Sequence, residues 1–334
     1  MVPYRQDRLP ILPTETCIWT QDLPDTAVPQ KNNPVVVHDT NFAIKLDAGK
    51  YASWVTIGLT SPQLLLLSGI GPAAHLKEFN ISIISDLPGV GQQVADNYET
   101  GILSLGKRAV QGFGEIFPAF WKTSKASIRN IYMWCGSFSF EGFWPGFPNI
   151  PPYFNTTHGP NQYECALVHM NPRSQAGLIE LQSTDPRSVP AINLNFFKDG
   201  ADHGLSAILE GVEWVRSWLG KVNGSDPNSL APFQELHPCE GEIGKQNFTA
   251  ESQNTYIKVR AYSHHASSSC RIGGDGDRFA VLDNKFRVRG VEGLRVVDAS
   301  SFPKVPAGFP VLPTMMISEK ATEVLLAEVA AAKK

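Results

Sequence analysis

Residues 262–274 read YSHHASSSCRIGG and place two histidines beside a cysteine, an arginine and paired glycines. Taken alone, adjacent histidines are most often ordinary loop or core residues. A metal site would need further ligands at helix or ribbon spacing, and none accompanies His264 and His265. A Cys–His nucleophile is equally weak, because Cys270 lies only five residues after His265 and such pairs are assembled from distant segments. The remaining interpretation is a histidine acid or base beside a bound cofactor, which the glycines allow the backbone to approach.

Several stretches around this block are similar, in the same order, to one protein family. The segments HASSSCRIGG, AVLDNKFRVRGVEGLRVVDASSFP and TMMISEKATEVL resemble the C-terminal block of the glucose–methanol–choline (GMC) oxidoreductases. TSPQLLLLSGIGP and DLPGVGQQVADN resemble the family's second signature and the segment after it, and GLIELQSTDPRSVPAINLNFF resembles its substrate-domain strands. The resemblance covers roughly residues 45–330 and corresponds to the C-terminal two-thirds of the family.

The resemblance implies a flavin enzyme with FAD as cofactor and no metal ion. His265 matches the residue that accepts the proton of an alcohol while a hydride passes to N5 of the flavin, a task that suits a neutral imidazole. Asp298 and Ala299 match positions at the ribityl and phosphate region of the cofactor. The cofactor-binding positions implied by the resemblance also include a second short stretch, Phe309, Pro310 and Val311.

The sequence departs from the family at several positions. No GxGxxG motif, which would hold the pyrophosphate of FAD, occurs before residue 60. Phe309 aligns with the family's second catalytic His or Asn, and phenylalanine can neither donate a hydrogen bond nor move a proton, so Phe309 is not itself catalytic. Asp96-Asn97 stands for Asp-His, and Ser268-Ser269 stands for Gly-Thr; we expect the last two changes to be neutral.

These features leave three classes of function open. The chain is an oxidoreductase acting on the CH–OH group of a small alcohol, with FAD bound unconventionally or with a second chain or a second copy completing the fold. Alternatively, it is a repurposed isomerase or lyase that uses His265 as its only acid–base group, or an inactive binding remnant that no longer holds FAD. Retention of the family's histidine block and final strand in order favours the first class.

An aromatic stretch from Phe138 to Phe154 predicts the kind of substrate. It contains seven aromatic residues and a single charge, Glu141, so a pocket built from it would favour an apolar or aromatic alcohol over a sugar. Phe309 also favours an apolar or aromatic substrate, because it replaces a hydrogen-bonding residue with an apolar ring. The alternative is that these rings fill the core of the substrate domain.

The fold that must position these residues is predicted to be α/β (α+β), with a partial Rossmann-like FAD-binding domain and an inserted substrate domain built on an antiparallel sheet. We expect an extended segment at 1–44, the FAD-binding domain at 45–100 and 256–330, and the substrate domain at 101–255. Local patterns predict a helix capped by Thr60, strands in GLIELQ and AINLNFF, a helix capped by Asp202, and a buried strand in GLRVVDAS. A last helix is predicted from about Thr314, with an apolar face formed by Met315, Ile317, Ala321, Val324 and Leu325.

Composition and net charge indicate which kinds of partner to expect. The chain has 29 basic and 32 acidic residues, a net charge of −3, and no long run of either sign, so we expect a small-molecule substrate and neither nucleic acid nor membrane as partner. The N-terminus has no apolar core typical of a signal peptide, although four Asn-x-Ser/Thr sequons would matter in a secretory pathway. These lie at Asn80, Asn155, Asn223 and Asn247. Five scattered cysteines allow one or two disulfides and leave at least one thiol unpaired within the chain.

Overall fold

The structure is a computed structural model that describes residues 58–109, 117–137, 161–198, 203–263 and 265–332, and the backbone of 37–38, 52–55 and 201–202. The predicted segment 1–44 therefore lies outside the described residues except for two positions, and the aromatic stretch 138–154 and His264 lie outside them entirely. The strands are β1 (Val37–His38), β2 (Ala52–Val55), β3 (Ile70–Gly71), β4 (Ser85–Asp86), β5 (Gln92–Val94), β6 (Tyr98–Leu105), β7 (Phe117–Trp121), β8 (Ile131–Gly136), β9 (Gln162–His169), β10 (Gly177–Glu180), β11 (Ala191–Asn193), β12 (Gln234–His237), β13 (Gly241–Glu242) and β14 (Leu294–Val296). The α-helices are α1 (Thr60–Leu67), α2 (Ala73–Glu78), α3 (Ala201–Leu219), α4 (Ala250–Arg260) and α5 (Val311–Ala332), and a 3₁₀ turn covers Ala299–Ser301.

One compact unit is built on an antiparallel sheet. Its described residues are 97–109, 117–137, 161–174, 196–198 and 201–263. Six strands pair in the order β13-β12-β6-β9-β8-β7, and every neighbouring pair is antiparallel. Helix α3 packs against β6, β8 and β9. The unit therefore has the sheet-and-helix architecture that was predicted for a substrate domain.

Helix α3 forms because apolar residues recur at helical spacing along it. Ile208, Val212 and Val215 are fully buried and meet the apolar face of the sheet. The predicted cap is wrong: the helix begins at Ala201, so Asp202 is its second residue. A cap depends on the conformation of the chain just before the helix, which the apolar spacing does not report.

A disulfide joins two neighbouring strands of this sheet. Cys135 on β8 lies directly opposite Cys165 on β9, and the two side chains are bonded. Cys239 and Cys270 are free thiols, and both are buried. The described part of the chain thus contains one bridge, within the range that the cysteine count allows.

The second compact unit contains the described residues 58–96, 175–195 and 265–332 together with β1 and β2. It combines a parallel sheet in the order β1-β2-β14 with an antiparallel sheet in the order β11-β10-β5. Its core includes leucines of α1 and α2 and, from the C-terminal block, three valines and one leucine, namely Leu65, Leu66, Leu76, Val281, Leu282, Val288 and Val296. The motifs TSPQLLLL and LRVVDAS therefore pack within the same unit, as predicted.

Two helix starts in this unit differ from the sequence-based expectation. Thr60 is the first residue of α1 and does not cap it; the cap position is Leu59, which makes no side-chain cap hydrogen bond. Leu59 packs against a small buried cluster, so burial rather than capping sets the start of the helix. Helix α5 begins at Val311, three residues before Thr314.

One face of α5 also differs from its prediction. Ala321 and Leu325 are buried and Ile317 packs against the core, as expected. Met315 was predicted on the same face but is 61% exposed. Helical spacing identifies the apolar face of a helix, but it does not show where along the helix that face stops contacting the core.

The two units do not follow the predicted domain limits. Residues 97–100 and 256–263 belong to the unit with the six-stranded sheet, because 98–105 form one continuous strand and α4 crosses the predicted limit at residue 256. Residues 175–195 belong to the other unit, because β10 pairs with β5. The assignment of one unit to flavin binding and the other to substrate binding stays a prediction.

None of the described helices is both long enough and apolar enough to cross a membrane.

Candidate active site around His265

The segment that carries His265 is held on one side by the LPGVGQQVADN stretch. Ser267 and Ala95 exchange two backbone hydrogen bonds, of 2.8 and 3.0 Å. The backbone N–H of His265 donates to Oδ1 of Asp96 at 2.9 Å, and Gly91 N–H donates to the carbonyl of Ser269 at 2.8 Å. Two motifs that are 169 residues apart in the sequence thus form one structure.

On its other side the same segment is held by the end of LRVVDAS. The N–H groups of Ser268, Cys270 and Ile272 donate to successive carbonyls of the 3₁₀ turn 299–301, at 3.2, 2.9 and 3.0 Å. Two separate segments therefore fix the backbone around His265. All of these contacts except the one to the Asp96 carboxylate join main-chain groups, so most of this geometry does not depend on side-chain rotamers.

His265 is buried and its imidazole contacts Phe309. Only 5% of His265 is exposed, and the two ring centroids lie 5.1 Å apart with the planes at 67°, an edge-to-face arrangement. Phe309 is 45% exposed. The structure therefore brings together His265 and the residue that aligns with the family's second catalytic position, and that residue is an apolar ring.

Asp298 is buried and both of its carboxylate oxygens are engaged within the chain. Oδ2 accepts from the hydroxyl of Ser61 at 2.6 Å, and Oδ1 accepts from the N–H of Ser300 at 2.6 Å. Asp298 thereby caps the 3₁₀ turn and fastens it to α1. In this structure its carboxylate shapes the turn that includes Ala299.

The environment of Cys270 disfavours the thiolate that a nucleophile requires. Its thiol is fully buried, and burial raises its pKa well above the ordinary value; the nearby Asp298 carboxylate raises that pKa further. A thiol held protonated in an apolar site is unreactive. The Cys–His interpretation of the block can be set aside.

Ser268 adopts a backbone conformation that favours glycine. Its φ is +72°, in the left-handed region, and it occupies the position of the family's glycine before the cysteine. Its side chain is fully buried, and its hydroxyl has no hydrogen-bond partner among the described residues. The change from glycine to serine was expected to be neutral. The serine instead adopts a strained backbone conformation.

The predicted cofactor positions fall into two places within this unit. Asp298 and Ala299 lie in the buried 3₁₀ turn beside the His265 segment. Phe309, Pro310 and Val311 lie at the start of α5, where Val311 is 63% exposed. The first amides of a helix have no partner within it and favour a negative group.

These residues fit the flavin end of FAD. They offer a buried histidine, an unpartnered buried hydroxyl on Ser268, a half-exposed aromatic ring and a helix start. No stretch of the sequence reads GxGxxG, so they do not include the glycine-rich turn that would hold the pyrophosphate. No group of three or more His, Cys, Asp or Glu that could hold a metal ion occurs among the described residues.

Sequence reasoning did not predict the roles of three residues in this site. Asp96 was quoted within a motif without a role, Ser61 was read only as part of a helix, and Ser268 was considered neutral. Local sequence patterns could not predict the partners of Asp96 and Ser61, because these partners lie 169 and 237 residues away. For Ser268, the family's glycine at that position was the available signal.

Solved structures share the fold of this chain, and a protein-family model matches part of its sequence. The chain shares its fold with a variant of the formate oxidase of Aspergillus oryzae RIB40, which superposes with a TM-score of 0.67 at 19% identity, over 84% of this chain and 54% of that one. Residues 172–318 match the model of the GMC oxidoreductase family. The predicted resemblance is confirmed, and this chain carries a GMC oxidoreductase domain.

The curated relatives include choline dehydrogenases. The mitochondrial choline dehydrogenase of Homo sapiens is 31% identical over 295 residues, which cover 80% of this chain and 46% of that protein. The oxygen-dependent choline dehydrogenase of Burkholderia multivorans is 32% identical over 340 residues, which cover 89% of this chain and 56% of that protein. The chain thus spans about half the length of the curated relatives it matches.

Proposed function

We propose that this chain takes part in the FAD-dependent oxidation of the CH–OH group of a small alcohol, with His265 as the proton-transfer residue. The observation that carries the proposal is the fixation of a buried His265 by two motif segments, with its imidazole in contact with Phe309. A general base must be held at a defined position, and a backbone fixed from both sides provides this.

FAD, when bound, supplies the acceptor for the hydride. The residues that would hold its flavin end are Asp298 and Ala299 in the 3₁₀ turn and Phe309, Pro310 and Val311 at the start of α5. The seat of its pyrophosphate is not among the described residues. A second chain or a second copy of this chain that supplies this seat remains part of the proposal.

The chain's own residues perform the proton half of the reaction. His265 accepts the hydroxyl proton of the alcohol as the C–H bond breaks and the carbonyl forms. Phe309 excludes water from one side of the imidazole and offers no hydrogen bond to the substrate oxygen. Of these two positions, only His265 can orient that oxygen.

The proposed substrate is an alcohol whose reacting carbon carries an apolar or aromatic group. Phe309 favours such a group because a polar substituent beside it would lose its hydrogen bonds to water without replacement. Choline, the substrate in the names of the curated relatives, is the competing candidate. Turnover with benzyl-type alcohols, choline and glucose should follow that order; a preference for choline or for the sugar would refute the apolar assignment.

The role of His265 is tested by His265→Ala. We expect turnover to fall by about 10²–10⁴-fold, which is typical of a lost general base. His264→Ala is the control and should have a milder effect. Equal losses in the two variants would contradict the assignment.

The flavin spectrum tests the whole proposal against its alternatives. The purified protein, after reconstitution with FAD, should show the visible absorption of a bound flavin. A protein that folds but gives no flavin band would instead support an isomerase or lyase that uses His265, or a binding remnant.

A further inference from the structure

Three of the four sequons lie in the described part of the chain, and all three present their asparagine on the surface. Asn80, Asn223 and Asn247 are each exposed. Two of them lie in the unit with the six-stranded sheet and one in the unit that carries His265. Chance sequons also occur at buried or structured positions, so exposure of all three is an observation that the sequence alone did not provide.

Each of these asparagines lies in a connection just outside a helix. Asn80 follows the end of α2 with a φ of +55°, a left-handed turn that asparagine tolerates. Asn223 follows α3, and its Oδ1 accepts from the N–H of Ser225, the third residue of its own sequon. Asn247 lies two residues before Thr249, which caps α4.

An added glycan would not disturb the elements next to these sites. The Asn223 side chain closes only a local turn, and the Thr249 hydroxyl that completes the Asn247 sequon accepts from Ser252 N–H. A group attached to Nδ2 of such an exposed asparagine extends into solvent. The fold is therefore compatible with modification at all three positions.

The disulfide is an independent observation that indicates the same environment. Cys135 and Cys165 are bonded across β8 and β9, and both are buried in the core of their unit. Structural disulfides form and persist in oxidising compartments and are rare in the cytosol. These compartments are also where sequons are modified.

We propose that the protein matures in a secretory compartment and carries N-linked glycans on Asn80, Asn223 and Asn247. In the modification step, Nδ2 of the asparagine bonds to the anomeric carbon of an oligosaccharide carried on a lipid diphosphate. The bond between that carbon and the diphosphate oxygen breaks, the lipid diphosphate leaves, and the amide loses one proton. The hydroxyl residue two positions later completes the acceptor site, as Ser82, Ser225 and Thr249 do here.

The experiment uses the protein isolated from its natural source. Treatment with a peptide-N-glycosidase should increase its gel mobility, and peptide mapping should find aspartate in place of Asn80, Asn223 and Asn247. Asn228, an exposed asparagine outside any sequon, is the matched control and should remain asparagine. Mapping without reductant should recover Cys135 and Cys165 in one linked peptide pair.

Variants separate the three sites. In an Asn155→Gln background, Asn80→Gln, Asn223→Gln and Asn247→Gln should each remove one glycan. Ser82→Ala should do the same for the first site while it leaves Asn80 in place. Unmodified asparagine at all three positions in folded protein from the natural source would overturn the proposal, and so would free thiols at Cys135 and Cys165.

Discussion

At the scale of single residues, the main finding is that His265 is held through its backbone by a carboxylate. Asp96 is 3% exposed, and its Oδ1 accepts from the N–H of His265 at 2.9 Å. A buried backbone donor that loses its acceptor costs free energy, so Asp96 positions the proposed base rather than taking part in the chemistry.

Two replacements of Asp96 distinguish the contribution of its acceptor oxygen from the contribution of its negative charge. Asp96→Ala leaves the buried N–H of His265 unsatisfied and should lower the free energy of unfolding by about 1–3 kcal/mol. Asp96→Asn keeps an acceptor oxygen and should lose less stability and less alcohol turnover. Urea unfolding and turnover measure the two effects, and equal losses in both variants would show that the hydrogen bond to His265 does not matter.

The strain at Ser268 predicts a stabilising substitution. The left-handed region costs a non-glycine residue about 1–2 kcal/mol, against about 0.5–1 kcal/mol of additional entropy for glycine. Ser268→Gly should therefore raise the free energy of unfolding by about 0.5–1 kcal/mol. Ser267→Gly is the control with the opposite sign, because the Ser267 hydroxyl donates to the His265 carbonyl at 2.9 Å. Destabilisation by Ser268→Gly, measured by thermal unfolding, would mean that its hydroxyl is engaged after all.

At the scale of elements, a buried ion pair fastens α3 to β12. Arg216 donates from Nε and one terminal nitrogen to the two carboxylate oxygens of Glu235, at 2.9 and 2.8 Å. Glu235 is fully buried and also accepts from the N–H of Cys239, while Arg216 donates to Gln253 of α4 at 2.6 Å. Three elements thus meet at one guanidinium, and every charge of the pair has a partner.

The two carboxylates around Arg216 should differ sharply in their importance. Glu235→Gln leaves a buried guanidinium without its main counter-charge and should cost about 3 kcal/mol or more of the free energy of unfolding. Glu213→Gln is the matched control: Glu213 also contacts Arg216, but its side chain is 59% exposed, so its loss should cost at most about 1 kcal/mol. Chemical denaturation of both variants provides the comparison, and similar costs would contradict this account.

At the scale of the whole molecule, a buried histidine makes stability depend on pH. His169 at the end of β9 is 4% exposed, and its Nδ1 has no hydrogen-bond partner among the described residues. Burial and, to a smaller extent, the nearby His203 lower the pKa of His169 to about 4. His169 is therefore neutral in the folded protein under conditions where the unfolded chain would bind a proton.

The sign of this effect follows from the lowered pKa. The contribution of His169 to stability is fully present above pH of about 6.5, the ordinary pKa of histidine, and it is lost as the pH falls towards about 4. At about 1.4 kcal/mol per pKa unit, the loss is roughly 3 kcal/mol. His169→Gln should flatten the decline of unfolding free energy between these pH values, and an unchanged slope in the variant would rule out His169 as its source.

The resemblance to the GMC oxidoreductases, the main elements and the choice of His265 as the candidate base could all be predicted from the sequence. Apolar spacing located α1, α3 and α5, and strand patterns located β10, β11 and β14. The order of motifs predicted the resemblance to the GMC oxidoreductases, which the match of residues 172–318 confirms, while the match of His265 to the family's histidine stays a prediction. These features are readable because they depend on local periodicity or on a stretch of consecutive residues.

The contacts that hold the site and the division of residues between the two units could be seen only in the tertiary structure. It paired Asp96 with His265, Ser61 with Asp298 and Cys135 with Cys165, and it placed residues 175–195 with the His265 unit. It also showed that Ser268 is left-handed and that Met315 is exposed. Each of these features depends on contacts between residues far apart in the chain, or on the point at which an element stops contacting the core. Local patterns of residue type do not contain this information.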